Sequence, residues 1–242
     1  MKKVLFILVM ATIIGGCSDV GKDFSLKVTK DGITWMNGVV RFQTESNKNK
    51  QIQQKHNPAF RAYAKLQNGH TVAMPDDTYA LGFGASCPMG TSGLYKPENG
   101  FSQAEILIQT DQKLVIHLHH DPWTIIDQSV TLDKQITLFR NSPIMAVIDY
   151  YEGNFDLLNI AAGLTSGNAG KIEELENGYA VKYPNGMTAI LIMPMANEKT
   201  ISKPLGSVFT KKAVESGEPL RYYVGISDKG KEYLLEELTK IL

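Results

Sequence analysis

The chain has 242 residues, with 25 basic and 25 acidic side chains and 43% hydrophobic residues. That balance leaves no basic excess with which to hold nucleic acid. Two cysteines are too few for a disulfide framework.

Met1, Lys2 and Lys3 open a short positive region, and the uncharged apolar run from Val4 to Ile14 follows it. Gly15, Gly16 and Cys17 come next, so charge, apolar stretch and small residues stand in signal-peptide order. The run of about ten residues is too short for the roughly twenty of a spanning helix. The small pair before Cys17 matches the bacterial lipobox. Residues 1–16 are therefore expected to be removed and Cys17 to carry the lipid, with residues 17–23 as lipidated cysteine and tether. The tether resembles the export tags of surface lipoproteins in the Bacteroides group. An outer-membrane anchor is the expectation, on the periplasmic or the surface face. Removal of two lysines leaves 23 basic against 25 acidic residues.

About 225 residues then remain, enough for one domain with a sizeable core over residues 24–242. Glu45 to Pro58 is polar and reads as a solvated loop. Beyond it the dominant period is two, beginning with Phe60 to Leu66. Further strand candidates are Ala104 to Ile108, Lys113 to His119, Trp123 to Leu132, Gln135 to Phe139 and Ile144 to Tyr151. Leu157 to Ala162, Tyr179 to Tyr183, Met187 to Met193 and Leu220 to Ile226 complete the set. Turn dipeptides separate many of them: Asn68-Gly69, Asn99-Gly100, Asn177-Gly178 and Asn185-Gly186. Gly82 to Ala85 lacks the helix a nucleotide loop requires and reads as a glycine-rich strand or bulge. Cys87 reads as a small buried thiol. From Lys229 to Leu242, leucines recur at helical spacing. The expected fold is all-β: an antiparallel β-sandwich-like domain with one short C-terminal amphipathic helix.

Chemistry concentrates at His117-Leu118-His119-His120-Asp121-Pro122-Trp123, which holds three of the five histidines. On a strand His117 and His119 project from one face, about 7 Å apart. They could share a divalent metal, but a catalytic metal site normally needs a third protein ligand. His120, Asp121, His56 and His70 are candidates that spacing does not force, so the metal reading is not favoured. Metal-free acid–base work or sugar binding is a second reading. A His-rich strand end meeting solvent is a third. Asp121-Pro122 is expected to turn. Trp123 is either core or a platform for a sugar ring. Arg61, Arg140 and Arg221 could clamp a carboxylate or be ordinary exposed charges. Ser86 and Ser92 lie in no G-x-S-x-G elbow.

Several stretches resemble the family known as domain of unknown function 4861, found mostly in polysaccharide-degrading bacteria. They are Lys134 to Leu138, Val147 to Tyr151, Leu158 to Leu164, Met187 to Pro194, Arg221 to Gly225 and the glycine-rich Gly82 to Gly93. The resemblance covers roughly the last two-thirds of the chain. Where the family has an aromatic-proline-tryptophan strand ending, this chain has His119 to Trp123. The resemblance implies carbohydrate work on a β-sandwich, since some relatives look like dehydratases of ulvan-type oligosaccharides. Such chemistry needs a base for the C5 proton, a cation for the uronate carboxylate and an acid for the departing 4-hydroxyl. The residue types present are His117, His119, His120, Tyr150 and Arg61 for catalysis, with Trp123, Arg140 and Tyr63 for the substrate. The expectation is a lipoprotein acting on acidic, uronate-containing oligosaccharides, by elimination of water or as a non-catalytic glycan binder of an uptake system. A structural partner within an outer-membrane uptake complex is a weaker third idea.

Overall fold

Alternation of apolar and polar residues lets one face of a strand leave water while the other stays wet, and this sets the register of each pairing. The computed structural model describes residues 24–29, 32–44, 59–75, 81–97, 99–167, 169–203 and 205–242. The signal peptide, Cys17, the tether, the Glu45–Pro58 loop and His56 lie outside the described residues.

In chain order the elements begin with β1 (Ser25–Val28), β2 (Ile33–Met36), β3 (Val40–Thr44), β4 (Arg61–Lys65) and β5 (Thr71–Ala73). They continue with β6 (Phe83–Gly90), β7 (Gly93–Leu94), β8 (Gln103–Gln109), β9 (Lys113–Ile125), β10 (Gln128–Phe139), β11 (Ile144–Gly153) and β12 (Leu158–Thr165). The last are β13 (Lys171–Leu175), β14 (Gly178–Lys182), β15 (Thr188–Ile192), β16 (Glu198–Ser202), β17 (Ser207–Val214), β18 (Pro219–Ser227) and α1 (Lys231–Thr239).

The strands form an eight-stranded antiparallel sheet, β13-β14-β15-β18-β11-β10-β9-β8, and two five-stranded sheets, β1-β2-β3-β4-β5 and β16-β17-β12-β6-β7. Inner faces of all three supply one hydrophobic core, to which Trp35, Phe42, Leu132, Val147, Leu164 and Val224 contribute. Trp35 Nε1 donates to Met145 Sδ across it at 3.5 Å. The two smaller sheets meet at an isolated parallel bridge between Phe60 and Gly82. There the Phe60 N–H donates to Leu81 O at 3.2 Å, and the Phe83 N–H donates to Phe60 O at 2.9 Å. Gly82 has φ 66°, and a Cβ on it would stand 2.2 Å from Phe60 O. Only glycine fits this joint.

The all-β expectation holds, and so does the C-terminal helix, the one helix among the described residues, with boundaries shortened to Lys231–Thr239. α1 lies on the outer face of the eight-stranded sheet, burying Leu234 and Leu238 against Ile144, Ala180, Ile190 and Ile192. Asn68-Gly69 and Asn185-Gly186 turn their hairpins, with Gly69 and Gly186 at positive φ. At Asn177-Gly178 the turn slips by one residue, because Leu175 pairs with Gly178. Asp121-Pro122 is not a turn. β9 runs through it to Ile125, and the two residues form a bulge opposite Thr131. β8 ends its pairing at His119, so Pro122 needs no ladder donor on that side. The chain reverses at Ile126-Asp127 instead, with Ile126 at φ 56°.

Cys87 is buried in β6, and burial pushes its thiol up to about 12. Thiolate is the reactive form, so Cys87 is expected to escape alkylation in the native protein at mildly alkaline pH. Peptide mapping should find it modified only after denaturation. Modification of the native protein would show that β6 opens readily.

Candidate functional site

Period two sends Leu114, Ile116 and Leu118 of β9 into the core and turns His117 and His119 outward. On β10 the inward set is Val130, Leu132, Ile136 and Leu138, which leaves Asp133 and Gln135 outside. Register then aligns the outward side chains in rows. One row crosses Glu105, His117, Gln135, Ile148 and Arg221, and the next Gln103, His119, Asp133 and Tyr150. These rows occupy an outer face that α1 covers elsewhere.

A single carboxylate oxygen organises the histidines. Asp133 Oδ1 lies 2.7 Å from His117 Nε2 and 2.8 Å from His119 Nδ1. His117 Nδ1 is 3.3 Å from Glu105 Oε1. Both imidazoles are about a fifth to a quarter exposed, at 20% and 24%. Burial works against ionising Asp133, but the hydrogen bonds from His119 and His117 outweigh it and hold its carboxyl below the ordinary carboxylate value. An ionised Asp133 accepts from both rings, which fixes the Nδ1–H tautomer of His119. Its Nε2 then makes no hydrogen bond among the described residues and, in the neutral ring, carries a free lone pair. Among the described residues no group of three His, Cys, Asp or Glu side chains is arranged to hold a metal ion.

The other predicted residues go elsewhere. His120 and Trp123 point inward at the far end of β9, where His120 packs 4.1 Å from Phe101 and 5.7 Å from Trp123 by ring centroid. Trp123 meets Tyr151 edge-on and is buried in the core, with its remaining surface on the small pocket beside it. A small pocket of about 160 Å³ opens beside them, between Pro97, Asn99, Asp121 and Thr124. Arg61 and Tyr63 sit on β4, in the layer opposite the eight-stranded sheet, and the Arg41 guanidinium stacks 4.0 Å from the Tyr63 ring. Arg140 follows β10 at its other end. Its Nε donates to Asp111 O, and its guanidinium lies 5.5 Å from the Phe24 ring centroid. Of the predicted residues, His117 and His119 thus share this outer face with Tyr150 and, three strands away, Arg221, while Asp133 and Glu105 contact the histidines directly.

A second polar cluster lies inside the sandwich and escaped the sequence reading as a site. Lys134 and Asp149 are 1% and 0% exposed. Lys134 Nζ donates to Asp149 Oδ1 at 2.5 Å, to Tyr222 OH at 2.7 Å and to Ser86 Oγ at 3.3 Å. Ser86 donates to Asp149 Oδ2 and lies 2.8 Å from Tyr151 OH. Tyr222 OH stands 2.9 Å from both Asp149 Oδ2 and Gly84 O. The signal was present in the alternation: Lys134 stands between Leu132 and Ile136, and Asp149 between Val147 and Tyr151, all inward positions.

No family model matches the chain, and no curated protein matches it. Among solved structures it is similar to the periplasmic domain of YidC from Thermotoga maritima. The TM-score is 0.53 at 9% identity, covering 88% of this chain and 90% of that one. It is also similar to the heparan sulfate lyase HepC from Pedobacter heparinus, with TM-score 0.53 at 10% identity over 85% of this chain. The chain spans 37% of that lyase's length. At such identities the likeness shows the fold alone.

Proposed function

We propose that this chain is a lipid-anchored cell-envelope protein, of the kind its motifs resemble, that binds acidic oligosaccharides on the outer face of the eight-stranded sheet. The observation that carries this reading is the Asp133 oxygen fixing two part-exposed imidazoles, of which His119 is in register with Gln103 and Tyr150. Planar polar side chains in rows offer donors and acceptors to successive hydroxyls of a sugar chain. Arg221, two strands from Asp133 and so about 10 Å away laterally, supplies a cation for a uronate carboxylate. The fold shared with a heparan sulfate lyase is in keeping with an acidic glycan. The lipobox at Cys17 supports the anchor.

His119 gives a second reading its support. An imidazole oriented by a carboxylate, with its other nitrogen free, has the arrangement of a general base. In that reading His119 Nε2 takes the C5 proton of a terminal uronate, Arg221 neutralises the carboxylate, and Tyr150 protonates the departing 4-hydroxyl.

Calorimetry of the purified chain against uronate-ended oligosaccharides tests the first reading. Loss of one hydrogen bond costs about 0.5–1.5 kcal/mol, so His119→Ala and Asp133→Asn are each expected to weaken binding up to about tenfold. Arg61→Ala, on the opposite layer, is expected to leave it unchanged. Absence of saturable binding, or binding indifferent to His119→Ala, would sink the proposal. Ultraviolet absorbance of an unsaturated uronate, lost in His119→Ala, would select the eliminating reading.

A further inference from the structure

Lys134 and Asp149 face each other directly across β10 and β11. Both side chains are sealed inside the sandwich, and Lys134 Nζ lies 5.5 Å from the Phe60 ring centroid and 5.3 Å from that of Tyr222. A fully hydrogen-bonded ion pair is the simplest account of such a pair. The arrangement around the carboxyl group goes further. Its two oxygens have different partners: Oδ1 faces the Lys134 amine, while Oδ2 is addressed by the Ser86 and Tyr222 hydroxyls. We propose that Lys134 and Asp149 are a site of covalent modification within the chain, an isopeptide bond between Nζ and Cγ that ties β10 to β11.

The chemistry balances without an oxidant or a co-reactant. Transfer of one proton from Nζ to Oδ1 converts the ion pair into a neutral amine and a carboxylic acid. The Nζ lone pair attacks Cγ, and negative charge develops on Oδ2, where the Ser86 and Tyr222 hydroxyls form a two-donor oxyanion hole. The Cγ–Oδ1 bond then breaks. Oδ1 departs as water, carrying the proton it received and one more from Nζ. The resulting amide N–H keeps Tyr222 OH as its acceptor, and the amide oxygen keeps the Ser86 donor.

Three features of the interior favour this course. Burial lowers the proton affinity of Lys134, against the opposing pull of Asp149, which makes the nucleophilic amine more accessible. Replacing two buried charges by one neutral amide also removes the desolvation cost that a buried ion pair carries. Tyr151 holds the Ser86 hydroxyl from the other side, so the oxyanion donor is fixed before reaction.

Trypsin digestion of the denatured full chain tests the proposal. An acylated Lys134 is no longer cleaved, so the expected main product joins segment 114–140 to segment 141–171, one water lighter than the two together. Lys134→Arg should lack this product. Free 114–134 and 135–140 as the main peptides of the parent chain would overturn it. That reading needs no variant to fold.

Discussion

Lys134→Met is expected to lower the unfolding free energy by about 3–5 kcal/mol, the range found when one partner of a buried ion pair is removed. Methionine fills the volume of the lysine stem, so the loss comes from the Nζ group, as charge partner or as amide nitrogen, and not from packing. Asp149 would be left in a site that is 0% exposed, with Ser86 and Tyr222 as its remaining donors. It must then hold an unpaired charge or take up a proton in the folded state. Against a typical total of about 5–15 kcal/mol, this is a large fraction. Urea unfolding followed by circular dichroism should show an earlier midpoint with an unchanged slope. Lys134→Met combined with Asp149→Leu should recover part of the loss, because no buried charge then remains. A Lys134→Met midpoint equal to that of the parent would show that the cluster is not sealed from water.

The second large effect is expected at Gly82→Ala. Its φ of 66° costs an alanine about 1–2 kcal/mol. The added Cβ would also stand 2.2 Å from Phe60 O, a backbone atom that cannot rotate aside. Overpacking of that kind costs about 1–3 kcal/mol, for a combined loss of about 2–5 kcal/mol. Gly69→Ala separates the two contributions, since Gly69 has φ 87° and a Cβ added there would meet nothing within 4 Å. Thermal melts should therefore place Gly69→Ala between the parent and Gly82→Ala. Equal losses in both would mean that the joint yields without cost.

Long strands were the most legible part of the fold. Lys113 to His119 and Gln135 to Phe139 alternate cleanly, and their inward residues are those the alternation selects. β1, β2 and β3 went unread although β2 and β3 alternate and flank Asn37-Gly38, so their signal was present in the sequence. β17 went unread because Lys211 and Lys212 interrupt its apolar run. The turn at Ile126-Asp127 had no turn chemistry to announce it, while Asp121-Pro122 had the chemistry and became a bulge. At the candidate site, period two was enough to put His117 and His119 on one face. Their partner was not legible, because Asp133 meets them only through the pairing register of β9 with β10. The grouping of Arg61 and Tyr63 with the histidines failed for the same reason. Which layer a strand joins is a long-range fact, and local alternation does not contain it.

The joint at Phe60 and Gly82 also bears on how the molecule comes apart. Cooperativity in a β protein depends on how many backbone bonds must break together, and among the described residues β1 to β5 share only the Phe60 bridge with the sheet of β6 and β12. The eight-stranded sheet, by contrast, is laced continuously from β13 to β8. The first five strands thus have the makings of a separate foldon, and because the Phe60 ring lies against Lys134, amide exchange through its opening would also report on access to the Lys134–Asp149 interior.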